Sequence, residues 1–121
     1  MAADKVLLVT GGSRGIGAAT ARRAAAEGWR VAVNYAADAQ AAEAVVRAIR
    51  AGGGSAIAVQ ADVADEAQVL RMFAQVDAGL GRLTGLVNNA GVVDRGAPLA
   101  EHDVARWRRM FDINVIGSLL C

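Results

Sequence analysis

The chain has 121 residues, 55% of them hydrophobic, which suffices for one small domain with a buried core and is short for an enzyme that takes two substrates. Thirteen basic and twelve acidic side chains leave a net charge of +1, a balance that does not recruit nucleic acid or an anionic membrane surface. The single cysteine, Cys121, has no second thiol or clustered histidine beside it, so neither an internal disulfide nor a metal site is expected.

At the amino terminus the first apolar run is only Val6, Leu7, Leu8 and Val9, too few residues for a signal-peptide core or a membrane span, and a cytoplasmic location is expected. From there short β-branched runs alternate with longer stretches of helical spacing, as in a parallel sheet with crossover helices. A buried strand is predicted at residues 5–10, and the glycine-rich segment 10–17 follows it and opens the first helix. Gly28 ends that helix, and a second strand is predicted at 30–35. Asp38 caps the next helix, in which Ala42, Val45, Val46 and Ile49 form one apolar stripe before the glycines at 52–54 terminate it. A third strand is predicted at 55–60. Asp65 with Gln68 reads as a capping box for a helix whose stripe is Val69, Met72, Phe73, Val76 and Leu80. The fourth strand is predicted at 83–88, again buried, and a last helix runs from Asp103 towards Cys121. Right-handed crossovers would set the strands in the order 3-2-1-4, with a crevice at the carboxyl end of the first strand, where the order reverses.

The segment Thr10, Gly11, Gly12, Ser13, Arg14, Gly15, Ile16, Gly17 has the strand before it and the helix after it that a phosphate cradle needs. Gly11 suits the tight turn, Gly15 a close approach of backbone to a pyrophosphate, and Gly17 close packing of helix on strand. A P-loop would require lysine followed by serine or threonine, and the one lysine, Lys5, lies upstream, so a dinucleotide is expected rather than a triphosphate. The second strand ends in Asn34, Tyr35, Ala36 and Ala37, without the carboxylate that binds the ribose hydroxyls of NAD. Arg14, expected in the first helical turn against the macrodipole, calls for an anion, and NADP(H) is preferred over NAD(H).

The spacing at 10–17, Asp62 and Val63 after the third strand, Asn88, Asn89, Ala90 and Gly91 after the fourth, and Asn114 in the last helix resemble the short-chain dehydrogenases/reductases. The likeness is greatest to the bacterial oxidoreductases grouped with 3-oxoacyl carrier-protein reductases and sugar dehydrogenases. It implies a Rossmann-type, doubly wound α/β fold over residues 1–121. It also implies that Asp62 and the Val63 amide meet adenine, that the backbone near Asn89 and Ala90 lines the cofactor ribose, and that Asn114 holds a water in a proton relay. Without that resemblance, Asn114 reads as a buried polar group that requires partners.

The family's chemistry also needs a serine and a Tyr-x-x-x-Lys pair, and Tyr35, followed four residues on by Ala39, is not that tyrosine. The chain is therefore expected to be the cofactor-binding half of a longer NADP(H)-dependent oxidoreductase acting on a small carbonyl or alcohol, and inactive alone. A non-catalytic nucleotide-binding or redox-sensing module is the alternative. The last helix carries two apolar stripes, Val104, Trp107, Phe111 and Val115 on one side and Met110, Ile113 and Leu120 on another, so it must be covered twice. The second cover is expected from further chain or from a second subunit, as in a dimer or tetramer. His102 reads as a surface residue, Trp29 as packing, and Asp94 with Arg95 as a solvated pair.

Overall fold

The computed structural model describes residues 5–121. Four strands form one parallel sheet in the order β3-β2-β1-β4, from β1 (Val6–Val9), β2 (Arg30–Tyr35), β3 (Ser55–Gln60) and β4 (Gly85–Val87). Strands β2 and β3 have the bounds the sequence predicts; β1 and β4 are shorter at both ends. Alternation along the strands divides the core in two. Leu7, Val9, Val31 and Val33 face helices α1 (Gly15–Ala26) and α2 (Ala39–Ala51), against Ala18, Ala21, Val45 and Ile49. Val6, Leu8, Ala32 and Val59 face the other way, onto Val69, Met72, Val76 and Leu80 at helix α3 (Glu66–Gly79). The sheet is thus doubly wound, an α/β Rossmann-type arrangement.

The predicted stripe of α2 is buried throughout; in that of α3, Phe73 is only half-buried. Gly28 and Gly53 take the left-handed φ of +95° and +88° that ends α1 and α2. The expectation that all four strands are buried fails at β4, where Leu86 is 36% exposed: β4 is the sheet edge beyond β1, and no described element covers its outer side. Trp29 packs on the first core cluster with the Lys5 ammonium 5.8 Å from its ring centroid.

Beyond β4 a long loop holds one short turn of helix at Leu99–Glu101 and leads to α4 (Val104–Phe111). The predicted single helix is interrupted: residues Asp112–Ile116 form a π turn before α5 (Gly117–Leu120). A Cβ at Gly117 would lie 2.7 Å from Val63 Cγ2, so this glycine lets the turn press against the end of β3's following segment. Leu120 and Cys121 pack on the second core cluster, and burial pushes the Cys121 thiol pKa up. Among the described residues no helix is long and apolar enough to cross a membrane.

Candidate functional site

The glycine loop leaves β1 at the carboxyl edge of the sheet, and part-buried hydrogen bonds fix it to the end of β4. Thr10, 1% exposed, donates its hydroxyl to the Val87 carbonyl (3.3 Å) and accepts the amides of Asn89 and Ala90 (both 3.0 Å). The Asn89 side chain donates to the carbonyls of Thr10 (3.0 Å) and Gly11 (2.9 Å). Contact this close requires glycine. A Cβ at Gly11, whose φ is +60°, would lie 3.0 Å from the Ala90 Cα, and one at Gly17 would collide with the Gly11 carbonyl and the Asn89 amide. Gly15, with φ +57°, has open space around it, so its backbone can be approached from outside.

Three helices begin with an aspartate whose carboxylate accepts a first-turn amide: Asp38 from Ala41 (3.0 Å), Asp65 from Gln68 (3.2 Å) and Asp103 from Arg106 (2.8 Å). Helix α1 begins instead with Arg14, whose side chain makes no capping bond, and its first turn holds no acid. The opening amides of a helix have no carbonyl partner within it, so the start of α1 is left to bind an anion. Arg14 stands at the capping position in extended backbone (φ −159°), one residue before the first turn the sequence placed it in, and is exposed.

A cavity of about 480 Å³ opens beside this loop at the carboxyl ends of the strands. It brings together ten of the predicted residues: Gly11, Ser13, Arg14, Asn34, Tyr35, Asp62, Val63, Asn89, Ala90 and Gly91. The other four predicted cofactor-binding residues are not in its lining: Thr10 and Gly17 are buried, and Gly15 and Ile16, the latter 79% exposed, face outward. Asn34 is 2% exposed, and its side chain is committed to the protein: Oδ1 accepts the Gly11 amide (3.0 Å) and Nδ2 donates to the carbonyls of Val59 (3.3 Å) and Ala61 (3.2 Å). Asp62 is not free either, since its Oδ1 accepts the Ala64 amide (2.9 Å), and its own amide donates to Gln68 Oε1 (2.9 Å). Gln68 also donates to Asp65 (3.1 Å), so the capping pair reaches the cavity wall as well as the helix. Hydrogen bonds from Gln68, foremost from its backbone amide, hold the Asp65 carboxyl below its ordinary pKa.

The sequence reading did not place Asp38, Ala61, Val92, Arg109 or Ile113 at the site, and all five line the cavity. Asp38 caps α2 as expected but also lines the cavity, so the wall is not devoid of acid. Arg109 and Ile113 reach it from the far end of the chain, where Ile113 is legible only as part of an apolar stripe and Arg109 belongs to no pattern.

Asn114 is exposed rather than buried, and it does not line the cavity. It lies in the π turn, accepting the Val92 amide (2.7 Å) and donating to the Val92 carbonyl (2.8 Å), and so fixes the loop after Gly91. Asp94 and Arg95 are not paired with each other through their side chains. Asp94 Oδ2 lies 3.7 Å from Arg106 Nε, and Arg106 donates to the Arg95 carbonyl (2.6 Å). With Glu101, Asp103 and Arg109 these residues line a second, mixed-charge hollow of about 610 Å³, away from the glycine loop. His102 is half-buried and tied at both ring nitrogens, accepting from Trp107 Nε1 (3.0 Å) and facing the Ala97 carbonyl (3.1 Å). That pairing requires its proton on Nε2. Among the described residues no group of three or more histidine, cysteine or acidic side chains is placed to hold a metal ion.

The chain matches the sequence profile of the short chain dehydrogenase family over residues 5–121. It is 49% identical over 116 residues to an uncharacterized oxidoreductase of Methylorubrum extorquens, covering 96% of this chain and 46% of that protein. It is 46% identical over 117 residues to a 3-oxoacyl-[acyl-carrier-protein] reductase of Synechocystis, covering 97% and 47%. Among solved structures, a short chain dehydrogenase from Burkholderia cenocepacia in complex with NADP superposes with a TM-score of 0.91 at 44% identity, over 97% of this chain and 47% of that one. The chain therefore spans about half the length of the curated relatives it matches. With its glycine loop, its doubly wound sheet and this match in register, the chain belongs to the short-chain dehydrogenase family.

Proposed function

We propose that the full-length protein is an NADP(H)-dependent oxidoreductase that interconverts a carbonyl and an alcohol by hydride transfer, and that this chain is its cofactor-binding half. The observation that carries the reading is the uncapped start of α1, whose capping residue Arg14 lines a cavity at the carboxyl ends of the strands. The donor set fits a phosphorylated dinucleotide: main-chain amides at Ser13, Gly15 and Ile16 would hold the pyrophosphate, and Arg14 beside Tyr35 a 2′-phosphate. Asp62 and Val63 would meet adenine, and Asn89, Ala90 and Gly91 the ribose. The bound dinucleotide would supply or accept the hydride. Asn114 is the proposed relay residue. Because its side chain is spent on Val92, contact with a relay water would fall to its main chain.

The NADP held by the Burkholderia neighbour and the carbonyl named in the Synechocystis relative support the choice of cofactor and reaction class. The substrate is proposed to be a small carbonyl or alcohol, the location cytoplasmic, and the assembly a homo-oligomer with the exposed stripe of α4 at its interface. Carbonyl-dependent oxidation of NADPH by the full-length protein, followed across a panel of ketones, tests the reading. Turnover of at least one ketone is expected. Saturable NADPH binding with no turnover of any would favour a non-catalytic module instead.

A further inference from the structure

Asn34 is a polar side chain in the interior of the central sheet, where an unsatisfied amide is costly, and it is the last residue but one of a strand that is otherwise apolar except at its margins. Each end of its carboxamide goes to a different part of the site. Its oxygen accepts the Gly11 amide at the turn of the phosphate loop, and its nitrogen donates to Val59 and Ala61, the residues that lead into Asp62 and Val63. Its own carbonyl accepts the Gly12 amide (2.8 Å). The Asn34 side chain thus hydrogen-bonds the glycine loop on one side and the end of β3 with the residue after it on the other. The Asn89 side chain bonds the same loop from the opposite flank.

We infer that Asn34 is a positioning residue for the dinucleotide, a clamp that fixes the distance between the pyrophosphate cradle and the adenine slot without touching the cofactor. The inference rests on the proposed NADP(H) reading of the cavity. A ligand that spans both regions gains affinity from a fixed separation, because less motion is lost on binding, whereas one that occupies a single region does not. Removing the side chain also leaves the Gly11 amide without its acceptor, which frees the turn to change shape.

The experiment compares wild-type full-length protein with Asn34→Ala, titrating each with NADPH and with adenosine 2′-phosphate, which lacks the pyrophosphate. The clamp predicts an NADPH dissociation constant raised about tenfold or more, with that for adenosine 2′-phosphate changed by less than about twofold. Equal losses for both ligands, or NADPH affinity within about twofold of wild type, would overturn it. Hydrogen exchange on the cofactor-free wild type keeps the test independent of how the variant folds: the Gly11 amide is expected to be strongly protected, and rapid exchange there would overturn the clamp as well. The two readings separate cleanly. Wild-type protein that binds no NADPH while protecting Gly11 sinks the cofactor assignment, and wild-type protein that binds NADPH while Asn34→Ala binds it equally well sinks the clamp.

Discussion

Gly17 and Arg14 sit three residues apart, one under a steric constraint and the other with a proposed role in binding phosphate. At Gly17 the constraint is steric: an added methyl meets the backbone of Gly11, which cannot swing away as a side-chain tip can. Gly17→Ala is therefore expected to destabilise the protein by about 1–3 kcal/mol in thermal or denaturant unfolding and to weaken NADPH binding along with it. At Arg14 the proposed role is one of charge. Arg14→Gln is expected to weaken NADPH binding roughly tenfold while leaving NADH within about twofold, because only the former carries the 2′-phosphate. Equal losses for the two cofactors in a titration would place Arg14 elsewhere. Sequence spacing was enough to single out both residues. It was not enough to separate Asn34, which belongs to the wall of the site, from residues that face the ligand, since a polar residue at a strand end reads the same whether its amide points into a cavity or back into the protein. The same holds for Asn114, whose two hydrogen bonds to Val92 are made with a segment twenty-two positions away.

Elements with strong internal signals were the legible ones. Helix α2 announced itself by an aspartate cap and a four-residue stripe, and β2 and β3 by alternating β-branched residues, Val31 with Val33 and Ile57 with Val59, between turn signals. Strand β4 and the last helix were less so: β4 is a short edge, and the π turn at Asp112–Ile116 depends on packing against Val63 through Gly117, which no local pattern encodes. The cap of α3 gives an element-scale prediction. Hydrogen bonds lower the Asp65 pKa in the folded protein, so its charged form favours folding. That contribution is present above the ordinary aspartate pKa of about 3.9 and is lost as pH falls through the depressed folded value. Thermal unfolding of wild type and Asp65→Ala should therefore differ near neutrality and converge in acid. A gap that stays constant down to strongly acidic pH would contradict the capping account.

At the scale of the whole molecule, the covered and uncovered faces of α4 decide its behaviour. Met110, Ile113 and Leu120 are half-buried against the rest of the chain, while Phe111 is 64% exposed and Val104, Trp107 and Val115 are exposed beside it. The two-sided pattern was legible in sequence because helical periodicity reports both faces, though not what lies on the second. A contiguous apolar face of this kind drives association. A polypeptide of these 121 residues is expected to self-associate or melt early, and Phe111→Glu to reduce the association, as read by sedimentation. A sharp, reversible thermal transition of a monomer would count against that.

Occupation of the cavity beside the glycine loop by NADP(H) is read by a fluorescence titration of the full-length protein with NADPH and with NADH. Saturable binding of NADPH, tighter than that of NADH, is the predicted result. Tighter binding of NADH, or no saturable binding of either, would contradict it.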